Sequence, residues 1–226
     1  MSTLVVASTQ FEIAESITRE AGLAVEGLGE PGTIIRGRRC DFLITGVGQL
    51  QCGVHVARAL SATPYTLAIQ AGIGGSFTPD LPIGAAAVVE ADVLSDLGAE
   101  DNGAFLDLFD MGLLGRDVAP FRQGWLEASP LHYKSLATLP RVRGVTVNRV
   151  LSEERSIGWV KERYDPQVVS MEGAAFLYAC LLASVPCVSI RTISDMVGPR
   201  DKSAWKIPDA VRALEGVLKP LLEECA

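Results

Sequence analysis

Residues 168–195 read VVSMEGAAFLYACLLASVPCVSIRTISD, and the order of their apolar segments decides the predicted fold. The short β-branched stretch at 167–170 predicts a strand, and EGAAFLYACLLA at 172–183 has the length and composition of a helix. Pro186 follows this helix as a breaker, and CVSIRTIS at 187–194 predicts a second strand, apolar enough to be buried on both faces. A strand, a helix and a strand in succession indicate an α/β protein.

The same alternation continues along the rest of the chain. Further strands are predicted at 3–8, 33–36, 41–45, 65–70, 85–94 and 144–151, and further helices at 11–21, 49–61, 153–163 and 205–224. The sequence AGIGGSF at 71–77 predicts a glycine-rich turn, and the weakly patterned section 98–125 predicts a loop with a short helix at 104–114. No linker, repeat or charge block divides the chain, so we expect one domain over residues 1–226.

The composition is that of a folded protein, and it excludes some kinds of function. The chain has 226 residues, of which 48% are hydrophobic and 21% charged, unlike the composition of disordered proteins. Its 20 basic and 27 acidic residues give a net charge of −7, whereas proteins that bind DNA or RNA need clustered lysine and arginine. We therefore expect no nucleic-acid partner.

The sequence shows no sign of secretion, membrane insertion or metal binding. Its five cysteines lack paired spacing, and the two histidines, His55 and His132, are far apart in the chain. The N-terminus has no signal-peptide pattern, and the uncharged stretches at 59–79 and 173–190 are interrupted by proline, serine or glycine. We expect a soluble cytoplasmic protein with no membrane partner, no metal and no cofactor.

Polar or glycine-rich features follow several predicted strands, at the sheet edge where α/β proteins bind ligands. They are Glu12, the glycines Gly72, Gly74 and Gly75, the segment Ser170-Met171-Glu172, and the pair Ser194-Asp195 just after Arg191. Each has a structural alternative, because carboxylates and serines cap helices and glycines form tight turns. Together they supply an acid for a leaving group, a base for water and a carboxylate for sugar hydroxyls. That set suits cleavage of a glycosidic bond.

The chain also resembles the superfamily of nucleoside phosphorylases and nucleosidases. The resemblance rests on Met-Glu-x-Ala-Ala from Met171, then Val-Pro, then Arg-x-Ile-Ser-Asp ending at Asp195. The strand with Glu12, the AGIGGSF loop and the Pro-x-Leu-x-Ile-Gly that follows it also align. It implies a three-layer α/β/α sandwich with a mixed central sheet, a small-molecule purine nucleoside as substrate and a homo-oligomeric enzyme.

Two branches of that superfamily are the most similar to this sequence. They are the 5′-methylthioadenosine/S-adenosylhomocysteine nucleosidases and the futalosine hydrolases of menaquinone biosynthesis. SDLGAED at 95–101 and ISDMVGPRDKSAWKIPDA at 193–210 resemble the second branch. We therefore expect a futalosine hydrolase that releases hypoxanthine, with the methylthioadenosine nucleosidase and purine nucleoside phosphorylase activities as alternatives.

The resemblance implies a role for each residue of the motifs. Asp195 would be the general acid that protonates N7 of the purine, with Ser194 orienting its carboxyl group. Glu12 would orient and deprotonate the attacking water, and Arg191 would help to position it. Glu172 would accept hydrogen bonds from the ribose 2′- and 3′-hydroxyls, with Met171 against the sugar. The remaining residues implied in the pocket are Gly74, Gly75, Val147 and Val150.

The sequence departs from the nucleosidase pattern at two points. Nucleosidases usually carry a serine in the glycine loop where this chain has Ile73, and residues 147–151 (VNRVL) offer no aromatic residue to stack on adenine. Hypoxanthine as the base is consistent with the second departure. We expect section 98–140, with its apolar residues and with Arg116 and Arg122, to help bind the 5′ substituent, either within one chain or across a subunit interface.

Two other functions compete with hydrolysis. A phosphorylase would need a cationic phosphate site, which Arg36, Arg38 and Arg39 could form, although the first strand is followed by an acid. A non-catalytic nucleoside-binding module would keep the ribose carboxylate. It would not need Glu12 and Asp195 as well.

Overall fold

A computed structural model describes residues 2–27, 29–199 and 201–225 of the chain. Arg200, within the 193–210 segment that resembles futalosine hydrolases, lies outside the described residues. The strands are β1 Thr3–Ala7, β2 Thr33–Arg36, β3 Cys40–Ile44, β4 Leu67–Ser76, β5 Ala86–Asp92, β6 Gly98–Asp101, β7 Ala104–Asp107, β8 Leu126–Glu127, β9 Arg141–Thr146, β10 Val168–Ser170 and β11 Cys187–Met196. The α-helices are α1 Ala14–Ala21, α2 Gln49–Ala62, α3 Glu154–Tyr164, α4 Gly173–Leu182 and α5 Ile207–Glu224.

Nine strands of the described chain form one mixed sheet, in the order β10-β9-β5-β11-β4-β1-β3-β2 with β8 beside β5. Strand β4 runs parallel to β1 and to β11, whereas β11 and β5 are antiparallel. Strand β10 pairs with β9 and also, in antiparallel fashion, with β4. Strands β4, β11, β5, β9 and β10 therefore close a ring. We name these five strands the closed ring.

Helices cover both faces of the sheet, which confirms the predicted three-layer α/β/α sandwich with a mixed sheet. On one face, buried side chains of α1 and α5, such as Ile17 and Leu218, pack against Val5 and Ile69 of the sheet. On the other face, α2 and α4 form a second core with the sheet. Helix α4 is apolar on all sides because most of it is enclosed there.

The prediction of a glycine-rich turn at 71–77 is wrong. This segment continues β4 as a strand as far as Ser76. Strand β11 pairs along it on one side, and β10 crosses its end on the other. A Cβ atom on Gly74 would lie 2.7 Å from the carbonyl oxygen of Val169, so the glycine lets β10 approach the backbone of β4.

The structure also corrects the prediction for section 98–125. No helix occurs at 104–114 in the described chain, where β6 and β7 pair as a two-stranded antiparallel hairpin. Asn102 and Gly103 form its turn with φ values of 48° and 84°. Positive φ at both central residues is typical of the tightest hairpin turns, for which Asn-Gly is the favoured sequence. Strand β9 likewise ends at Thr146, so Val147 to Val150 lie beyond the strand.

No helix in the described chain is both long enough and apolar enough to cross a bilayer.

Candidate functional site

A cavity of about 600 Å³ opens at the carboxyl ends of the parallel strands, beside the closed ring. The predicted residues that line it are Glu12, Gly74, Gly75, Val147, Val150, Met171, Glu172, Ser194 and Asp195. Arg191 does not reach the lining and lies buried behind it. The structure thus brings residues from five separate segments of the sequence to one place. Their roles in binding and catalysis stay predictions.

Glu12 is fixed in a short 3₁₀ turn, Gln10–Ile13, that follows β1. Its Oε2 atom accepts hydrogen bonds from the backbone N–H of Thr9 at 2.9 Å and from the Thr9 hydroxyl at 3.1 Å. The backbone N–H of Ile73 donates to Oε1 at 3.2 Å. Burial raises the pKa of Glu12, and the charge of Glu172 adds to this, against the N–H donors and Arg191. The carboxylate is therefore a stronger base than an exposed one.

Arg191 lies on β11, and its guanidinium is only partly satisfied. Nη1 donates to the carbonyl oxygen of Ile190 at 3.2 Å, while buried Nη2 has no hydrogen-bond partner among the described residues. A Cβ atom on Gly72 would lie 3.1 Å from Arg191 Nη1 and 3.2 Å from Glu12 Oε1, so both side chains lie over the same glycine. An unpaired buried donor is costly, so the guanidinium of Arg191 has capacity for a further acceptor.

Glu172 stands at the N-cap position of α4 without a capping hydrogen bond from its side chain, and it is buried at the cavity wall. Its Oε1 atom accepts a hydrogen bond of 2.7 Å from the backbone N–H of Gly48. Gly48 has a φ of 98°, a conformation in which a side chain would be strained. The sequence GVGQ after β3 gave the only signal for this contact, and we did not predict its role.

Asp195 lies at a β-bulge, since the register of β11 against β4 shifts between Ile193 and Asp195. Bulges re-aim side chains, and here the half-buried carboxyl group faces the cavity. The Ser194 hydroxyl, which contacts the carbonyl oxygen of Gly74 at 3.2 Å, donates to Asp195 Oδ1 at 2.6 Å. Burial raises the pKa of Asp195, although the Ser194 hydrogen bond opposes this.

Comparison with known proteins identifies the family. The family model of the phosphorylase superfamily matches residues 32–223. A futalosine hydrolase from Streptomyces coelicolor is 35% identical over 194 residues, which cover 81% of this chain and 80% of that protein. A futalosine hydrolase from Thermus thermophilus is 28% identical and covers 84% of each chain. The chain belongs to the futalosine hydrolase family of the phosphorylase superfamily.

Solved structures of low identity share the superfamily fold. A methylthioadenosine/S-adenosylhomocysteine nucleosidase from Colwellia psychrerythraea, in complex with adenine, has a TM-score of 0.81 at 16% identity and covers 100% of this chain and 96% of its own. The futalosine hydrolase of Helicobacter pylori has a TM-score of 0.77 at 17% identity, with 99% and 98% covered. Futalosine hydrolases and nucleosidases thus share this arrangement of strands and helices.

The cavity of this futalosine hydrolase family member has largely apolar walls. Val147 is buried, whereas Val150 stands at the rim with 43% of its surface exposed. Apolar lining residues to which we gave no role include Phe11, Val47, Ile83, Met196, Trp205 and Ile207. Of these, Trp205 and Ile207 belong to the Trp-x-Ile segment that resembles the family ending.

Three arginines considered for a phosphate site lie outside this cavity and have other partners. Arg36 pairs with Asp41, Arg39 pairs with Glu20, and Arg38 donates to the carbonyl oxygen of Arg19 at 2.9 Å. They do not form a phosphate site at the cavity.

Section 98–140 contributes no side chain to the described lining of the cavity. The expectation that it helps to bind the 5′ substituent is therefore not met within one chain. Arg116 pairs instead with Asp110 at 2.9 Å, and Arg122 lies 3.8 Å from Glu127. Both arginines therefore pair with acidic residues of the same section and not with residues of the cavity.

Proposed function

We propose that the protein hydrolyses the N-glycosidic bond of futalosine, releasing hypoxanthine and dehypoxanthine futalosine for menaquinone biosynthesis. The observation that carries the proposal is the meeting of Glu12, Glu172 and Asp195 at one cavity. Kinship with futalosine hydrolases at 35% identity supports the choice of substrate.

The leaving group depends on Asp195. A purine anion leaves poorly, but a purine protonated at N7 departs as a neutral molecule. Because burial raises the pKa of Asp195, its carboxyl group holds a proton at higher pH than an exposed aspartic acid does. The Ser194 hydroxyl fixes Oδ1, which leaves Oδ2 to carry the proton toward the base.

The sugar and the water depend on the other two carboxylates. As the bond breaks, the ribosyl group becomes cation-like, and the buried charge of Glu172 stabilises it while accepting hydrogen bonds from the hydroxyls. Glu12, fixed by Thr9 and Ile73, takes a proton from the attacking water. The guanidinium of Arg191, whose Nη1 lies with Glu12 over Gly72, helps to position that water from behind the cavity lining.

Hydrolysis is favoured over phosphorolysis by the position of the charges. The first strand leads to the carboxylate of Glu12, which repels phosphate, and Arg36, Arg38 and Arg39 are engaged elsewhere. Ile73 supplies only its backbone N–H to Glu12, so the serine usual in nucleosidases is not needed to hold this carboxylate.

A phosphate-free incubation tests the proposal with futalosine, methylthioadenosine and inosine in parallel. We expect hypoxanthine to be released from futalosine alone, measured by chromatography. Adenine from methylthioadenosine would assign the protein to the neighbouring branch. An absolute requirement for phosphate would make it a phosphorylase.

We further propose that the protein acts in the cytoplasm as a homo-oligomer on this small molecule, without nucleic acid. Val47 at the cavity, and Leu50 and Val54 on α2, expose apolar surface, and 79% of Leu50 is accessible. Light scattering should give a mass above 24.0 kDa, and Leu50→Asp should lower it. A monomeric wild-type protein would contradict this proposal.

A further inference from the structure

One buried carboxyl group near the cavity has no role in the proposed mechanism. Asp92 is the last residue of β5, and only 2% of its surface is exposed. Its Oδ1 atom accepts hydrogen bonds from the backbone N–H of Val93 at 2.7 Å and from the Thr146 hydroxyl at 2.8 Å. Asp92 does not line the cavity, so any effect on the substrate passes through its neighbours.

Two glycines make room for this carboxyl group. A Cβ atom on Gly173, the first residue of α4, would lie 2.1 Å from Asp92 Oδ2. A Cβ atom on Gly144 in β9 would lie 2.8 Å from the same oxygen. Real Cβ atoms do not come this close to another heavy atom, so the space beside Asp92 Oδ2 exists only because both residues are glycine. The carboxyl group therefore packs directly against the backbone of α4 and β9.

Asp92 is also linked to α4 by hydrogen bonds. The backbone N–H of Ala174 donates at 2.8 Å to the Thr146 hydroxyl, which in turn donates to Asp92. The N–H of Gly173 donates to the Ser170 hydroxyl at 3.1 Å. The two residues that follow Glu172 are thus held by side chains of β9 and β10, and a carboxylate stands at the positive end of the helix.

The surroundings of Asp92 make its burial costly. In the described part of the chain it forms no ion pair within 4.0 Å, and burial raises its pKa to about 7. The hydrogen bond from the Thr146 hydroxyl and the positive charge of Arg191 lower the pKa of Asp92, whereas the negative charge of Glu172 raises it further. A buried carboxyl group without a cation partner costs stability that its hydrogen bonds must offset, and here the donors are Val93 and Thr146.

We propose that Asp92 is a positioning residue that fixes the first turn of α4, through Thr146, and thereby holds Glu172 at the cavity. The inference rests on the proposed function only in assigning the ribose hydroxyls to Glu172. The contacts among Asp92, Thr146 and α4 stand independently of the substrate.

Asp92→Ala tests the proposal, with Asp107→Asn as a matched control. Asp107 is equally buried, at 3% exposure, and contacts no residue of α4 through its hydrogen bonds. We expect Asp92→Ala to lower kcat/KM for futalosine by about 10²-fold, since small displacements of a binding group have effects of this size. Asp92→Asn keeps an acceptor for Thr146 and should recover part of the activity. The control should retain wild-type activity.

Hydrogen exchange gives a second measurement that does not depend on the substrate. The amides of Gly173 and Ala174 should exchange faster in Asp92→Ala and in Thr146→Val than in Asp107→Asn. If Asp92→Ala does not fold, Thr146→Val removes the same link while leaving the carboxyl group in place. Exchange equal to that of the control in both variants would overturn the proposal.

A double variant separates positioning from a direct role. When Glu172→Gln is already present, adding Asp92→Ala should lower kcat/KM little further, because the influence of Asp92 passes through Glu172. An undiminished effect would overturn the proposal. If wild-type protein does not cleave futalosine, the proposed function fails, while the exchange experiment still decides the role of Asp92.

Discussion

Carboxylates in two regions of this molecule have different partners. Around the β6–β7 hairpin, Asp107 and Asp110 face Arg116 and Arg163, and we name these four residues the hairpin cluster. Arg163 Nη2 lies 2.6 Å from Asp107 and also bonds Asp110. The N–H of Asp107 and the Arg163 charge outweigh burial and hold the pKa of Asp110 below its ordinary value.

At the cavity, Glu12 and Asp195 are held by N–H and hydroxyl donors instead. Within the described residues, neither has a lysine or arginine nitrogen within 4.0 Å. Burial dominates, and the pKa of both groups is raised. The pKa of Asp110 beside arginine is thus lowered, whereas burial without an ion pair raises the pKa of Glu12 and of Asp195, which suits these two groups to exchange a proton.

The largest effect should come from Asp195→Asn, which removes the proposed acid and retains its shape. We expect kcat for futalosine to fall by at least about 10²-fold, the contribution typical of one general acid. Steady-state hypoxanthine release measures it. Asp110→Asn serves as the control and should keep its activity within about twofold, because it is remote from the cavity. Near-wild-type turnover in Asp195→Asn would remove Asp195 from the role of acid.

The dependence of kcat/KM on pH should be bell-shaped. Activity requires ionised Glu12, so it rises as pH increases through the pKa of Glu12, and it requires protonated Asp195, so it falls above the pKa of Asp195. Because both pKa values are raised, the optimum should lie above the range of ordinary carboxyl groups. In Glu12→Gln, the rise of kcat/KM with pH on the acidic side of the profile should disappear. An unchanged profile in this variant would contradict the assignment of the base.

Arg163→Met should affect stability rather than catalysis. It leaves the buried Asp107 without its nearest cation, so we expect the free energy of unfolding to fall by about 1–3 kcal/mol. Urea denaturation measures this change. Turnover of futalosine at a temperature where the variant is folded should stay within about twofold. A large loss of turnover would break the division between the two regions.

The smallest effect concerns the stability of Glu12→Gln. A carboxyl group whose pKa is higher in the folded than in the unfolded state binds more protons when folded. The wild-type protein therefore loses stability as pH rises between the unfolded and the folded pKa of Glu12. Glu12→Gln lacks this loss and should gain in Tm relative to wild type across that window. A Tm difference that does not vary with pH would count against a raised pKa.

The sequence was sufficient to predict most strands and to single out three carboxylates that line the cavity, whose roles stay predictions. Runs such as CVSIRTIS, rich in β-branched and apolar residues, indicate strands from their local sequence alone. Glu12, Glu172 and Asp195 follow or end strands that meet at one edge of the sheet. Segment 71–77 was predicted wrongly because its glycines mark where β10 crosses β4, not where the chain turns. That distinction depends on the pairing of distant segments. One domain over 1–226 stays a prediction.

Two further features had local signals that we did not use. Asn102-Gly103 is a strong hairpin sequence, and its neighbours GAED and AFLD were interpreted as loop and helix because their apolar pattern is weak. Asp92 stands in the apolar run AAAVVEADVL, where an acid is unusual. Its contact with α4 depends on how β5, β9 and α4 meet, which periodicity does not show.

The closed ring has a consequence for the order in which the chain can fold during synthesis. Strand β4 ends at Ser76, yet its partners β10 and β11 lie about a hundred residues later in the sequence. Until the ribosome has released residue 196, the glycine end of β4 has unpaired N–H and C=O groups and can recruit other strands. The edge that carries the cavity is thus completed late, and a nascent chain that stalls before β11 has an open strand edge, which favours aggregation, beside the future cavity.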